Sequence, residues 1–149
     1  MGGAVDDLVT WLRAQLNEDE RIARTVPGPA WEHRQIRGDF DESVVFEDYV
    51  AVADPEQDVV VFSDVSPAAL AFVLRLDPAR VLREIDAKRR IVDQCAYWNE
   101  RAAREAVDPP KYPQPGLDLG LLLDAMNPVL RALALPYADR PGFQEEWRP

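Results

Sequence analysis

From Asp77 to Arg104 the chain reads DPARVLREIDAKRRIVDQCAYWNERAAR, and after Pro78 neither glycine nor proline recurs until Pro109. Few segments restrict a fold more. Asp77 is suited to cap a helix, and Pro78 fits the first helical position, where its missing N–H has no intrahelical partner to lose. At 100° per residue Val81, Leu82, Ile85, Ile91, Val92, Cys95, Ala96, Trp98, Ala102 and Ala103 share one broad face. Arg83, Asp86, Arg90, Asp93, Gln94, Arg101 and Arg104 lie opposite. Glu84 with Lys88, Asp86 with Arg90, and Glu100 with Arg104 stand four apart with the acid first, the favourable order for helical ion pairs. The stretch is predicted to be a long amphipathic helix that organises the core.

The remaining elements are predicted around it. Asp6 to Arg24 carries a helical stripe of Leu8, Val9, Trp11, Leu12, Leu16 and Ala23, with Asp6 or Asp7 as its cap. Pro27-Gly28-Pro29 ends that helix. The period then changes to that of strands. Trp31 to Arg37 is a first strand with Trp31, His33 and Gln35 on one face, and Gly38 to Ser43 is a polar turn. Val44 to Ala53 is a second strand, and Asp58 to Val65, the most apolar of the three, is a third strand expected to be central or covered. Ser66-Pro67 opens a short helix to about Leu76. Pro109, Pro110, Pro113 and Pro115 make a stiff linker. Leu117 to Met126 is an apolar helix that Pro128 kinks or restarts, with Asn127 as the new cap, and Phe143 to Trp147 form a last helical turn.

The predicted fold class is α+β: a three-stranded antiparallel meander packed against a long amphipathic helix and further helices. At 149 residues the chain is expected to be a single domain. Its parts are an N-terminal helix (1–26), strands (27–65), a helix pair (66–106), a proline-rich linker (107–116) and C-terminal helices with a tail (117–149).

Charge narrows the partners. The net charge is −10, and residues 27–65 alone hold ten acids against two bases, a net −8. Such a segment repels a phosphate backbone, so direct nucleic-acid binding is not expected. No unbroken apolar run approaches 18 residues, and the start MGGAVDD lacks the features of a secretory signal, so neither a membrane partner nor export is expected; a cytoplasmic location is.

Chemistry is sparse. The one cysteine, Cys95, lies on the apolar helix face, where a buried inert thiol is expected. The one histidine, His33, reads as a half-buried strand residue. There is no GxGxxG and no GxxxxGK[ST], so no phosphate cradle is visible. No catalytic residue, metal ligand or cofactor is assigned, and none is expected. Two groups stand out as candidate partner surfaces. One is the acidic set Asp39, Asp41, Glu42, Glu47 and Asp48; the other is the tail aromatics Tyr137, Phe143 and Trp147. Docking of those aromatics on the first helix, or on the Val81–Ile85 half of the long one, is the competing expectation.

Several phrases carry a resemblance: DDLVTWLRAQLNEDERIAR at the start, Pro27-Gly28-Pro29 with Trp31, DPARVLREIDAKRRIV, and LALPYADRPGFQEEWRP at the end. They resemble a family of small uncharacterised proteins of Streptomyces-like actinobacteria and their phages that bears only a domain-of-unknown-function label. More distantly, the chain is similar to Ead-like phage early proteins. The family pattern has histidines before the DPARVL helix and in the last phrase, where this chain has Leu74, Leu76 and Arg140. The resemblance therefore implies no histidine metal site here. Residues 97–127 depart from the pattern.

The function expected from all this is unknown in its particulars. A small non-enzymatic binding or accessory protein leads, its partner another protein or a second copy in a homodimer. The first alternative is an acidic DNA mimic that inhibits a nucleic-acid-binding protein, using the carboxylates of residues 27–65. A carboxylate- or metal-dependent enzyme is the least supported.

Overall fold

The computed structural model describes residues 2–40, 43–54, 56, 59–63, 66–112 and 114–149, the side chains of residues 2, 39, 40 and 43–46 excepted. The order is α1 (Gly2–Thr25), β1 (Trp31–Phe40), β2 (Ser43–Val52), β3 (Val60–Phe62), α2 (Pro67–Leu74), α3 (Pro78–Val107) and α4 (Leu119–Ala134). Two short 3-10 turns follow, at Leu135–Tyr137 and Glu145–Trp147. The strands form one antiparallel sheet in the order β1-β2-β3, so the class is α+β with a long helix. The chain divides into two compact units: residues 1–19 with 85–149, and residues 20–84.

In the unit of residues 20–84, β1 and β2 pair from Trp31↔Val52 to Phe40↔Ser43. The strands thus run further into the expected turn of Gly38 to Ser43 than predicted. Val50, Ala51 and Val52 are buried at the centre of the sheet, together with Leu70 of α2. β3 corrects an expectation. It is a three-residue edge strand, not a central one, and Val60 and Phe62 are 49% and 44% exposed. A run of valines signals β structure whether one face is covered or neither. Here a bulge lies between the pairs Val50↔Phe62 and Ala51↔Val60 and interrupts the regular register. Asp58, Asp64 and Val65, which were expected to extend this strand, lie outside the described residues.

The Pro27-Gly28-Pro29 turn is held by specific bonds. The indole N–H of Trp31 donates to the carbonyl of Pro27 at 2.9 Å, and the amide of Ala79 donates to that of Pro29 at 2.7 Å. Gly28 has φ +68°, and a Cβ there would stand 2.4 Å from a methyl of Val52. Glycine is required on both counts. Ser66 caps α2 with Pro67 in its first turn, as predicted. Asp77 caps α3 by accepting the amide of Arg80 at 2.7 Å.

The other unit is helical. Leu8, Val9, Leu12 and Leu16 of α1 are buried, as are Ile85, Val92, Cys95 and Ala96 of α3 and Leu130 and Ala134 of α4. Arg13 reaches Asp93 at 2.7 Å, and Arg89 reaches Asn17 at 2.7 Å. One helix advances four residues while the other retreats four, so α1 and α3 run antiparallel. α1 begins at Gly2, so Asp6 and Asp7 lie inside it and do not cap it. The expected Asp86–Arg90 pair forms, whereas Glu84 is taken by Arg80 and Arg101 pairs with Glu105. α4 is continuous through Pro128, with Asp118 as its cap, so of the two expected effects of Pro128 the restart capped by Asn127 is absent. Pro128 sits on the exposed side of the helix, where the carbonyl that loses its N–H partner is open to solvent. Asn127 instead accepts the side-chain amide of Asn99 of α3 at 3.1 Å.

Candidate functional site

The residues singled out by sequence part into three groups. Asp41, Glu42 and the side chain of Asp39 lie outside the described residues. Glu47 and Asp48 are consecutive in β2, and neighbours in a strand point to opposite faces, so they do not make one row. Glu47 is exposed. Asp48 is engaged: it accepts the side-chain amide of Gln35 at 3.1 Å, and its Oδ1 lies 2.7 Å from Nε2 of His33. His33, Gln35 and Asp48 therefore share a face of the hairpin, and Trp31 is on the same side of β1, where it packs edge-on against Phe62.

The tail aromatics gather around one residue of α1. Trp11 lies 5.2 Å from Trp147, 5.7 Å from Phe143 and 6.4 Å from Tyr137 between ring centroids. Its indole N–H donates to the carbonyl of Pro141 at 3.1 Å. Tyr137 and Trp147 are each 3% exposed. The first helix is thus their docking partner, and α3 contributes Lys88, 5.7 Å from the Tyr137 ring centre. Tyr137 donates its hydroxyl to Asp19 at 2.9 Å, and Arg140 places one nitrogen 2.6 Å from the other oxygen of that carboxylate. Burial, with the carboxylate alongside, holds the Tyr137 phenol well above its ordinary pKa. Tyr137 and Trp147 are core, which takes them out of a free surface, and Phe143 is half-buried beside them.

Cys95 is fully buried, and burial pushes its thiol above the usual range. A thiol held protonated in this way is a poor nucleophile. Among the described residues, no three His, Cys, Asp or Glu side chains converge to hold a metal. An open cavity of about 260 Å³ is lined by Ala4, Val5, Leu8, Leu130 and Trp147 with Asn127, Arg131 and Glu146 at its polar side. It brings together no nucleophile, base and orienting group.

The surface that sequence reasoning missed is the outer face of α4. Its inner face supplies Leu130 and Ala134 to the core, as expected of an apolar helix. Its outer face is apolar as well. Leu121 is 70% exposed, Val129 42%, and Leu135, immediately after the helix, 40%. Ala125, Pro128 and Ala132 are exposed beside them. A helix that is apolar all round does not show by composition which side faces water. The signal that finds it is the spacing: Leu121, Ala125, Pro128, Ala132 and Leu135 recur at four and three residues.

The same helix meets the length and average composition of a membrane span, although it contains no unbroken apolar run of that length. Leu119–Tyr137 is long and apolar enough by those two criteria, with a mean hydropathy of 1.3 and 11% of it buried. Asp124 and Arg131 interrupt every unbroken apolar run there, but the average tolerates them.

No curated protein and no solved structure matches the chain. One family does, DUF6221, over residues 5–149, and the chain therefore belongs to this family of unknown function.

Proposed function

We propose that the chain is a non-enzymatic protein-binding module, an accessory protein that acts by what it holds. The observation that carries this reading is the exposed apolar face of α4, capped by Asp118 and held to α3 by Asn99 and Asn127. Leu121, Val129 and Leu135 are large and in water, and exposed Ala125, Pro128 and Ala132 continue the apolar stripe between Leu121 and Leu135. Contiguous apolar surface on a folded chain marks a place where something docks. A helix that offers it on a fixed frame fits the helix-packing mode of recognition. The resemblance of its phrases to proteins of actinobacteria and their phages supports an accessory role of that origin.

The reading predicts a separation of stability from assembly. Leu121→Ser with Leu135→Ser is expected to leave the thermal midpoint unchanged or higher, because neither side chain is buried. Size-exclusion of the tagged chain from its source lysate is expected to show a complex for the native sequence and the free chain for the variant. A midpoint lowered by several degrees would make the face part of the intramolecular core. An unchanged elution position would place any partner elsewhere.

A further inference from the structure

The exposed stripe of α4 has a palindromic order: Leu121, Ala125, Pro128, Ala132, Leu135. Large residues stand at both ends, small ones inside them, and a proline at the middle. Read from the other end the order is the same. A two-fold axis through Pro128 brings Leu121 against Leu135 of a second copy, Ala125 close to Ala132, and Pro128 against its own counterpart. Isologous pairing of this kind uses one patch twice. The four-three spacing is that of a coiled-coil seam, so two such helices pack along their whole length at a shallow crossing angle.

Charge carries the argument further. Asp124 and Arg131 are both exposed and lie on the same flank of the stripe, about 20° apart around the helix. They are also centred on the same point of the chain, within one residue of Pro128. In an antiparallel pair related by the two-fold axis, that flank of one copy meets the same flank of the other. Asp124 then faces Arg131 of the second copy, and the pairing occurs twice. In a parallel pair the two flanks fall on opposite sides of the seam and the charges never meet. Asp124 and Arg131 sit in no ion pair within the chain among the described residues.

We infer that a second copy of this chain is the partner of the α4 face, bound antiparallel about Pro128 with Asp124 and Arg131 paired across the seam. The inference rests on the proposed binding role of that face and names its occupant. A membrane is a poorer occupant. A bilayer would have to take in an aspartate and an arginine near the middle of the apolar stretch, and an acidic chain is repelled by anionic lipid. The stripe is roughly 21 Å long. That is short for a permanent interface, so the dimer is concentration-dependent, with a dissociation constant on the order of 10–100 µM.

Sedimentation equilibrium of the purified full-length chain tests this between about 1 µM and 1 mM. The native chain is expected to pass from monomer to dimer. Leu121→Glu is expected to weaken the dimer about tenfold or more, by placing a carboxylate in an apolar seam. Asp124→Arg and Arg131→Asp are each expected to weaken it by about threefold, the scale of exposed charge pairs. The double exchange Asp124→Arg/Arg131→Asp is expected to restore native affinity, as is an equimolar mixture of the two single variants. Every variant changes exposed side chains only, and its thermal midpoint confirms folding.

A native chain that stays monomeric at the highest concentration overturns the inference. So does a dimer indifferent to Leu121→Glu, or a double exchange no tighter than the single ones. Co-flotation of the native chain with phosphatidylcholine or phosphatidylcholine–phosphatidylserine vesicles, lost in Leu121→Glu, would give the face to a lipid surface instead. A purified monomer whose lysate complex still depends on Leu121 and Leu135 removes the second copy and leaves the binding role standing.

Discussion

Two side chains of the tail differ in how their polar atoms are satisfied. Trp147 is buried against Trp11 and Phe143, yet its indole N–H has no hydrogen-bond partner among the described residues. A buried donor left unpaired costs about 1–3 kcal/mol. Trp147→Phe keeps most of the ring packing and removes the donor, so it is expected to change stability by less than about 1 kcal/mol. Trp147→Ala is expected to cost about 3–5 kcal/mol, the range for emptying a large aromatic site. Denaturant titration of both variants checks the contrast, and equal losses would show that the N–H is satisfied. Tyr137 is the opposite case, with its hydroxyl donated to Asp19. Its phenol is raised in the folded chain, so above the ordinary tyrosine value, about 10, the unfolded chain releases a proton that the folded chain keeps. The stability this site contributes is fully present below that pH and is lost as pH rises beyond it. Tyr137→Phe is expected to lower stability at pH 7 by about 1–2 kcal/mol and to flatten the decline between about pH 10 and 11. A decline of unchanged slope in the variant assigns the alkaline loss to another group.

What a sequence discloses about an element depends on whether its signals are local. α3 was legible because its start is written in two residues, Asp77-Pro78, and nothing inside it breaks a helix. The shared face of β1 was legible, since Trp31, His33 and Gln35 alternate as a strand must, while its register with β2 was not. The edge position of β3 was not, because three valines look alike at an edge and at a centre, and only the pairing partners decide. Pro128 misled for a similar reason. Its cost in a helix interior is real, about 3 kcal/mol, but whether a helix breaks there depends on what holds its two halves. Here Leu130 and Ala134 beyond the proline are anchored in the core, and Asn127 just before it is bonded to α3. Pro128→Ala restores the missing N–H at an exposed position, so it is expected to raise stability by about 1–3 kcal/mol, read as a higher thermal midpoint. A lower midpoint would mean that the proline shapes α4 for the packing beneath it. The candidate site divides in the same way. The tail aromatics were legible as docking groups by size alone, while the α4 face was masked by the apolar residues of its buried side.

At the scale of the molecule, the C-terminal end is a structural part of the helical unit. Pro136 and Pro141 fix its path, and Gly142, at φ +85°, lets the backbone pass close to Trp11, where a Cβ would stand 3.0 Å from the indole nitrogen. Beyond the ring contacts, Arg140 ties the segment to Gln15 and Asp19 of α1. Removing residues 136–149 therefore strips three rings from Trp11 and leaves Asp19 without the Tyr137 and Arg140 partners that neutralise it. Emptying one aromatic site costs about 3–5 kcal/mol, and a small domain has only about 5–15 kcal/mol in all. The truncated chain is expected to lose the cooperative melt of residues 1–19 and 85–149, with exposed apolar surface and a tendency to aggregate. The sheet of residues 20–84 has a core of its own in Val50, Ala51, Val52 and Leu70, so its β2 amides are expected to stay protected. Hydrogen exchange resolved by segment separates the outcomes. Loss of protection in α4 with retention in β2 is the expected pattern. Unchanged protection in α4 would show that the tail lies on the unit without supporting it, and would return Tyr137, Phe143 and Trp147 to the surface available for partners.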